Sequence, residues 1–459
     1  MVSDGPCSRT IVHVLTVEKL TGLVERGEID TVVVAFTDMQ GRLMGKRLHA
    51  EFFLEEHSAG RSVEGCSYLM ALDMEMEPIP GYEIASWDRG YGDFDITPDL
   101  ATLRRIPWLE GTALVLGDVL WHDHSPVAPS PRQVLKAQLE RVAALGYTPM
   151  FGSELEFYLL KETFTEAHAK GYADLTPTVP YVIDYHILGT TYDEPLLRAI
   201  RNHMQAAGLR VEASKGEAWP GQQEINFRYA DALTAADNHV VYKNGAKEIA
   251  FQHGRSLTFM AKPYEDWIGS SCHVHSSLAR DGEPAFATDE NLFGQWLAGQ
   301  IACFEELALF LAPTINSYKR FAPGSWAPTS LAWGNDNRSC GFRVVGRPGS
   351  PARRAETRIP GGDANPYLAF AAIIAAGVYG IEHGLELPPP IDGNAYESDA
   401  KRFPSSMHEA IAALERGTMA RAAFGDQVAD HYLHYARTEQ ALYDKHVTDW
   451  ERKRYFERG

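Results

Sequence analysis

Seven side chains in four short segments have the chemistry of a divalent-cation site. In SELEFYLL, Glu154 and Glu156 stand two residues apart on a strand-like stretch, so both carboxylates point to one face. Two like charges on one face are costly unless a cation lies between them. In GEAWPGQQEINF, Glu217 and Glu224 flank a Pro-Gly turn that can fold the two carboxylates together. Glu356 sits among arginines in RRAETRIP, and His273 and His275 alternate in SSCHVHSSL. Taken singly, each acid reads as a solvated surface carboxylate and the histidine pair as polar surface. Taken together, many oxygens with an imidazole suit magnesium or manganese, not zinc in a cysteine cage.

A second constellation follows in the stretch from Asn316 to Tyr367. It carries Arg320, Arg338, Arg343, Arg353, Arg354 and Arg358 between glycines and prolines. Guanidinium groups hold phosphate and carboxylate in bidentate fashion, so this run points to an anionic ligand. No GxxxxGK[ST] loop and no GxGxxG opening a helix is present, which excludes a Walker-type or dinucleotide site.

The elements that must position these groups are legible in outline. Thr31 to Phe36 (TVVVAF) reads as a buried strand followed by a polar turn to Arg42. The next hundred residues, rich in Gly, Pro and Asp, read as a small sheet-rich domain. A proline-rich stretch from Ser125 to Pro131 precedes RQVLKAQLERVAALG, a helix that Gly146 is placed to end. A domain boundary is expected there, giving domains 1–125 and 126–459. Further helices are expected at Leu196–Ala207, Ala236–His253 and Gly294–Ala312, then from Tyr367 through Tyr443 with a break at Pro388–Pro390.

Bulk properties narrow the class. The chain of 459 residues is too long for one small core. Its net charge of −18 argues against nucleic acid or an anionic membrane as partner. It has no run of about 18 apolar residues and no leader-like N-terminus. Five scattered cysteines without a CxxC pair suggest reduced thiols and a cytoplasmic location.

Strings along nearly the whole chain resemble the glutamine synthetase family, type I-like. They are FTDMQGR, ELEFYLL, GQQEINF, RSLTFMAKP, SCHVHSSL, NSYKRFAPG, NRSCGFRV and ARRAETRIPGGDANPYLAFAA. The resemblance implies an α+β fold: a small N-terminal β-grasp domain and a large catalytic α/β domain. It implies ATP, glutamate and an amine as substrates and two Mg²⁺ (or Mn²⁺) ions per site. It also implies a homododecamer with sites between subunits. By motif position, Glu156, Glu217 and Glu224 match ligands of one ion, and Glu154, His273 and Glu356 those of the other. Gly269, Arg320 and Arg358 match glutamate-binding positions. Arg338 and Arg320 match arginines on the transferring phosphate. Tyr229, His275, Ser277, Arg343 and Arg354 match the ATP side. Glu64 with Ser67 matches the site of the incoming amine.

The departures from the family pattern carry information. The interval from Glu217 to Glu224 is one residue shorter than in ordinary glutamine synthetases. The family's ammonium-binding DGSS-like string is EGCS here, with Glu64 in place of aspartate. The flap string PGYEAP is PGSWAP, so Trp326 replaces the acid that helps deprotonate ammonium. An indole accepts no proton but offers an apolar wall and a π face. This pattern, with the ending VTDWERKRYFER, resembles the actinobacterial γ-glutamylamine ligase branch, ethanolamine-using first and polyamine-using second. Tyr396, in GNAYESD, poorly matches the family's adenylylated tyrosine, so no such control is expected. The alternatives are authentic glutamine synthesis, against which Glu64 and Trp326 count, and a catalytically inactive structural member, against which the six metal-ligand matches count. A guanido kinase, sharing a barrel-like catalytic fold, is a third, opposed by the β-grasp strings and PGSWAP.

Overall fold

In the computed structural model, which describes residues 15–459, the chain builds two sheets. Cys7 and the N-terminal segment read above as lacking a leader lie outside the described residues. The first sheet contains β1 (Thr31–Thr37), β2 (Leu43–His49), β3 (Val63–Cys66), β4 (Asp93–Pro98), β5 (Arg104–Arg105) and β6 (Thr112–Leu120). Its order is β2-β1-β6-β4-β3, with β5 on β6. The β-branched run of β1 packs against the helix Ala50–Ser58, which in turn packs on the helix Val17–Glu25. The β1–β2 turn is closed by Asp38, which accepts from the backbone N–H groups of Gln40 and Arg42.

The second sheet is larger. It comprises β7 (Thr148–Leu160), β8 (Val211–Gly216), β9 (Gln222–Phe227), β10 (Ala230–Asp231), β11 (Ser256–Thr258), β12 (Cys272–Arg280), β13 (Glu283–Pro284), β14 (Trp333–Asn335), β15 (Phe342–Val345) and β16 (Arg354–Thr357). The main path runs β14-β15-β16-β12-β7-β9-β8. The long β7 is central, and its two faces are chemically distinct. Phe151, Leu155 and Phe157 are buried, and Ser153 bonds His239 of the helix Ala232–Gln252 at 3.0 Å. Phe151 also packs on Phe370 of the buried helix Pro366–Glu382. With one face taken by helices, the residues at even positions, Glu154 and Glu156 among them, project from the other.

The seam between the two halves is polar and specific. Arg132, on the helix Pro131–Ala144, pairs with Asp99 at 2.7 Å, Asp118 at 2.6 Å and Asp237 at 3.0 Å. Asn365 donates to the Asp38 and Met39 carbonyls of the β1–β2 turn, both at 3.2 Å.

Most expected elements are present, with three differences. Beyond Pro390 the α-helix expected through Tyr443 resumes only at Met407 and is divided into Met407–Arg416, Met419–Phe424 and Asp426–Asp444. The helix expected at Ala236–His253 begins at Ala232, where the Asp231 side chain accepts from the Thr234 N–H as an N-cap. The helix expected at Gly294–Ala312 is two, Glu290–Cys303 and Ala308–Leu311. The break lies beside Glu306, whose carboxylate is drawn to the backbone N–H of Ala420 at 2.6 Å. The periodic apolar sequence carries no sign of that tertiary bond.

No helix among the described residues is long and apolar enough to cross a membrane. Cys66, Cys272, Cys303 and Cys340 are free thiols.

Candidate active site

Strand register brings the acids together. Glu156 lies opposite Glu224 across β7 and β9, and Lys215 opposite Glu224 across β8 and β9. Glu217 follows β8 and donates its N–H to the Gln222 carbonyl at 2.9 Å, closing the Pro-Gly turn. Carboxylate oxygens of Glu156, Glu217 and Glu224 thereby lie within 4.8 Å of one another. On the other side of β7, His273 is opposite Glu154, and Glu356 is opposite His275. The His273 Nδ1 is 3.5 Å from Glu154 and 3.8 Å from Glu356. Glu154 and Glu224 also converge with His273 within 4.8 Å, so the two clusters adjoin.

The electrostatics of the first cluster are those of a site built for a cation. Burial, and then the Glu217 charge, push Glu156 up to about 8. Burial, then the Glu217, Glu154 and Glu156 charges, push Glu224 up to about 9. The second cluster behaves differently. Burial opposes ionisation of Glu356, but His273 and Arg358 outweigh it and hold the carboxyl down to about 2. Glu154 is likewise held well below the usual carboxylate range against its burial, by hydrogen bonds from His273 and His275. Burial and the Arg358 charge lower His273 to about 4, leaving a neutral imidazole. Its Nε2 is buried with no partner. A neutral imidazole with an orphaned nitrogen among carboxylates fits a hard divalent ion. Cys272 points to the opposite face and burial raises its thiol to about 12, which removes it as a thiolate ligand.

This arrangement fixes how metal binding depends on pH. At neutral pH, Glu156 and Glu224 carry protons that an incoming ion must displace. Apparent Mg²⁺ affinity should therefore rise between pH 6 and pH 9, roughly tenfold per pH unit for each proton displaced. Calorimetry in buffers of different ionisation enthalpy would detect the released protons. The stability of the metal-free protein should move the opposite way. Carboxyls raised from 4.5 to about 8 and 9 hold protons in the folded state that the unfolded chain loses. That contribution is fully present below the unfolded value and is lost as pH rises through the folded values. Melting curves across this window, with and without Mg²⁺, check both signs.

Three arginines face the clusters. Arg358 pairs with Glu356 at 2.5 Å, and Arg343 pairs with Glu356 at 2.7 Å and with Asp336. Arg320 is fully enclosed. It donates to the Ile359 and Arg358 carbonyls at 2.7 and 2.8 Å, and its Nε has no partner. A Cβ on Gly269 would lie 2.4 Å from the Arg320 Cγ and 2.9 Å from the Ala261 carbonyl. Gly269 thus leaves the lane through which Arg320 passes. Gly269→Ala should cost about 1–3 kcal/mol of strain at that contact. The expected result is a tenfold to hundredfold fall in kcat/KM for glutamate, with a modest fall in Tm.

Beside the second cluster opens a cavity of about 660 Å³, lined by Tyr229, His275, Ser277 and Arg354 together with Glu154. Arg354 donates from Nε to the His275 Nδ1 at 3.1 Å, which leaves His275 Nε2 to donate to Glu154 at 2.9 Å. Of the residues matched above to the ATP side, four line this cavity, while Arg343 instead bonds Glu356.

Other matched residues stand apart. Glu64 lies on β3 of the first sheet, and Ser67 begins the 3-10 turn Ser67–Met70 that follows it. Among the described residues, neither makes a hydrogen bond or ion pair with the carboxylates of the second. Glu64 lies across from Asp95, which pairs with His122 at 3.3 Å. Arg338 is exposed on the loop between β14 and β15. Trp326 is 61% exposed with φ of +65°, a left-handed conformation rare for a bulky residue. The next residue is braced: the Tyr396 hydroxyl donates to the Ala327 carbonyl at 3.0 Å.

Two site residues escaped sequence reasoning. Lys215 forms an ion pair with Glu217 and lies over the Tyr185 ring. Gln222 donates to Glu156 at 3.3 Å and to the Gly269 carbonyl at 3.1 Å. Strand alternation could have found both, since Lys215 is two residues from Glu217 and Gln222 two from Glu224.

Comparison with known proteins agrees with this geometry. The family described as glutamine synthetase, catalytic domain, matches residues 128–455. The chain is 54% identical to a γ-glutamylethanolamide synthetase of Streptomyces coelicolor, over 97% of this chain and 96% of that one. It is 38% identical to a glutamate–isopropylamine ligase of a Pseudomonas species, over 96% and 97%. Among solved structures it is similar to GmaS in complex with ADP, with a TM-score of 0.82 at 28% identity, covering 95% of this chain and 99% of that one. The chain therefore belongs to the glutamine synthetase family of ATP-dependent carbon–nitrogen ligases, which use divalent metal ions.

Proposed function

We propose that this protein joins the γ-carboxylate of glutamate to an organic amine, with ethanolamine as first acceptor and polyamines as second. The observation that carries this reading is a double carboxylate cluster combined with a flap whose tip is Trp326 and not an acid. The 54% identity to a γ-glutamylethanolamide synthetase supports it.

In this reading the glutamate carboxylate attacks the γ-phosphorus of ATP, ADP leaves, and an acyl phosphate forms. The neutral amine then attacks the acyl carbon, phosphate leaves, and the amine's proton passes to a base or to water. Glu156, Glu217 and Glu224 would hold one cation, and Glu154, His273 and Glu356 the other; when bound, the two ions offset the charge of the transferring phosphoryl group. Arg320, beneath Gly269, and Arg358 bind and orient glutamate. Arg338 closes on the phosphate as substrate arrives. Tyr229, His275, Ser277 and Arg354 line the nucleotide side. Glu64, with Ser67, binds the ammonium head of the amine from a neighbouring copy, in a double-ring dodecamer. The domain boundary lies near residue 126. Closure of the flap excludes water that would hydrolyse the acyl phosphate.

Trp326→Glu tests the assignment of the amine. It restores a flap acid and removes the apolar wall, so kcat/KM for ethanolamine should fall by the equivalent of roughly 1–3 kcal/mol while that for ammonium holds or rises. An unchanged ratio of the two would remove Trp326 from the amine pocket. Authentic glutamine synthesis is the second reading; Glu64, one methylene longer than the family's aspartate, and Trp326 count against it.

A further inference from the structure

A cavity of about 600 Å³ lies at the seam between the β1–β2 turn and the helix Ala232–Gln252. It shares no lining residue with the carboxylate clusters or the nucleotide-side cavity. Much of its wall is apolar, including Phe259, Leu309 and Leu368. Its charged groups are unevenly matched. Arg42 is already paired with Asp38 at 2.6 Å. Asp363 receives the Thr314 and Ser317 hydroxyls on one oxygen, both at 2.6 Å. Glu439 is pushed towards its neutral form by burial and by Asp73 and Glu75.

That leaves Lys243 and Lys247, one helical turn apart on the same face, where like charges repel. Their ammonium groups flank a single ring, 5.7 and 5.8 Å from the centroid of Phe259. Lys243 donates to the Ala364 carbonyl at 3.3 Å, and neither lysine forms an ion pair among the described residues. Burial and the Lys247 charge lower Lys243 to about 8, and the Asp363 charge only partly opposes them. Two cations without an ion-pair partner beside an aromatic ring, in a largely apolar chamber of ligand size, suit an anion with an apolar body.

We propose that the seam cavity binds a small organic carboxylate, its carboxylate held between Lys243 and Lys247 and its apolar body against Phe259. The site is independent of the catalytic assignment above. Because the cavity is walled by both halves of the chain, its occupant also braces the seam that Asn365 closes.

Titration calorimetry of the intact protein with 3-phenylpropionate, and with its uncharged amide, tests the proposal. The acid should bind saturably and at least tenfold more tightly than the amide. Lys243→Met should weaken the acid at least tenfold and leave the amide unchanged. Lys247→Gln, at a residue more exposed than Lys243, should give the same pattern if Lys243→Met fails to fold. Saturating ADP with Mg²⁺ should not displace the acid. Absence of saturable binding up to millimolar acid, equal affinity for acid and amide, or displacement by ADP would each overturn the proposal.

Discussion

Glu224→Ala should lower turnover by roughly three orders of magnitude, because the loss of one cation ligand leaves several kcal/mol of phosphoryl charge uncompensated. Glu224 belongs to both clusters of the site. It converges with Glu156 and Glu217 on one side and with Glu154 and His273 on the other. Its removal should therefore disturb both clusters at once. The fold should survive. Above pH 9 the metal-free variant should melt no lower than the parent, since one repelling charge has gone from a buried group. Phosphate release with glutamate, ATP and amine at ordinary Mg²⁺ measures the first effect, and metal-free melting the second. Near-normal turnover would remove Glu224 from the metal site.

A second large effect is expected from mixing two inactive variants. Glu64 lies on the first sheet beside Asp95, with no hydrogen bond or ion pair to the second sheet's carboxylates among the described residues. If a neighbouring copy supplies it, Glu64→Ala and Glu224→Ala subunits carry complementary defects. Random reassembly of equal amounts should make about one interface in four intact on both sides. Activity should then recover from near zero to about a quarter of the parent level on the same chance-pairing argument. The measurement is phosphate release after the subunits are dissociated together and reassembled, against each variant treated alone. Recovery no greater than the sum of the two would mean that each site is complete within one chain.

The carboxylate face was legible because strand geometry is periodic. Glu154 and Glu156 share a face by spacing alone, and the Pro-Gly turn foretold the meeting of Glu217 and Glu224. The turn after β1 and the helix end at Gly146, which has φ of +82°, were equally plain. What the sequence hid was pairing across strands. Arg358 shares the face of Glu356 by its two-residue spacing, but nothing local says that Arg343 also lies on Glu356, because β15 and β16 must first be set side by side. The arginine run therefore read as one anion-binding patch, whereas two of its members neutralise a buried carboxylate. Lys215 was within reach of spacing alone, two residues from Glu217, although its opposite number, Glu224, is on another strand. Gly269 read as a loop residue of the family, while the cause of its identity, the passage of Arg320, is a contact fifty-one residues away in sequence. The seam cavity left no sequence signal at all, since its walls come from segments scattered between the first strand and the last long helix.

The most direct test is kcat/KM for ethanolamine, putrescine and ammonium in the unmodified protein, with glutamate and ATP saturating and phosphate release as the readout. If Trp326 lines the space beyond a neighbouring copy's Glu64, as proposed, ethanolamine should give the highest value, putrescine a lower one and ammonium the lowest. If ammonium is the best of the three, the reading of Trp326 is wrong and the protein is a glutamine synthetase with an unusual flap.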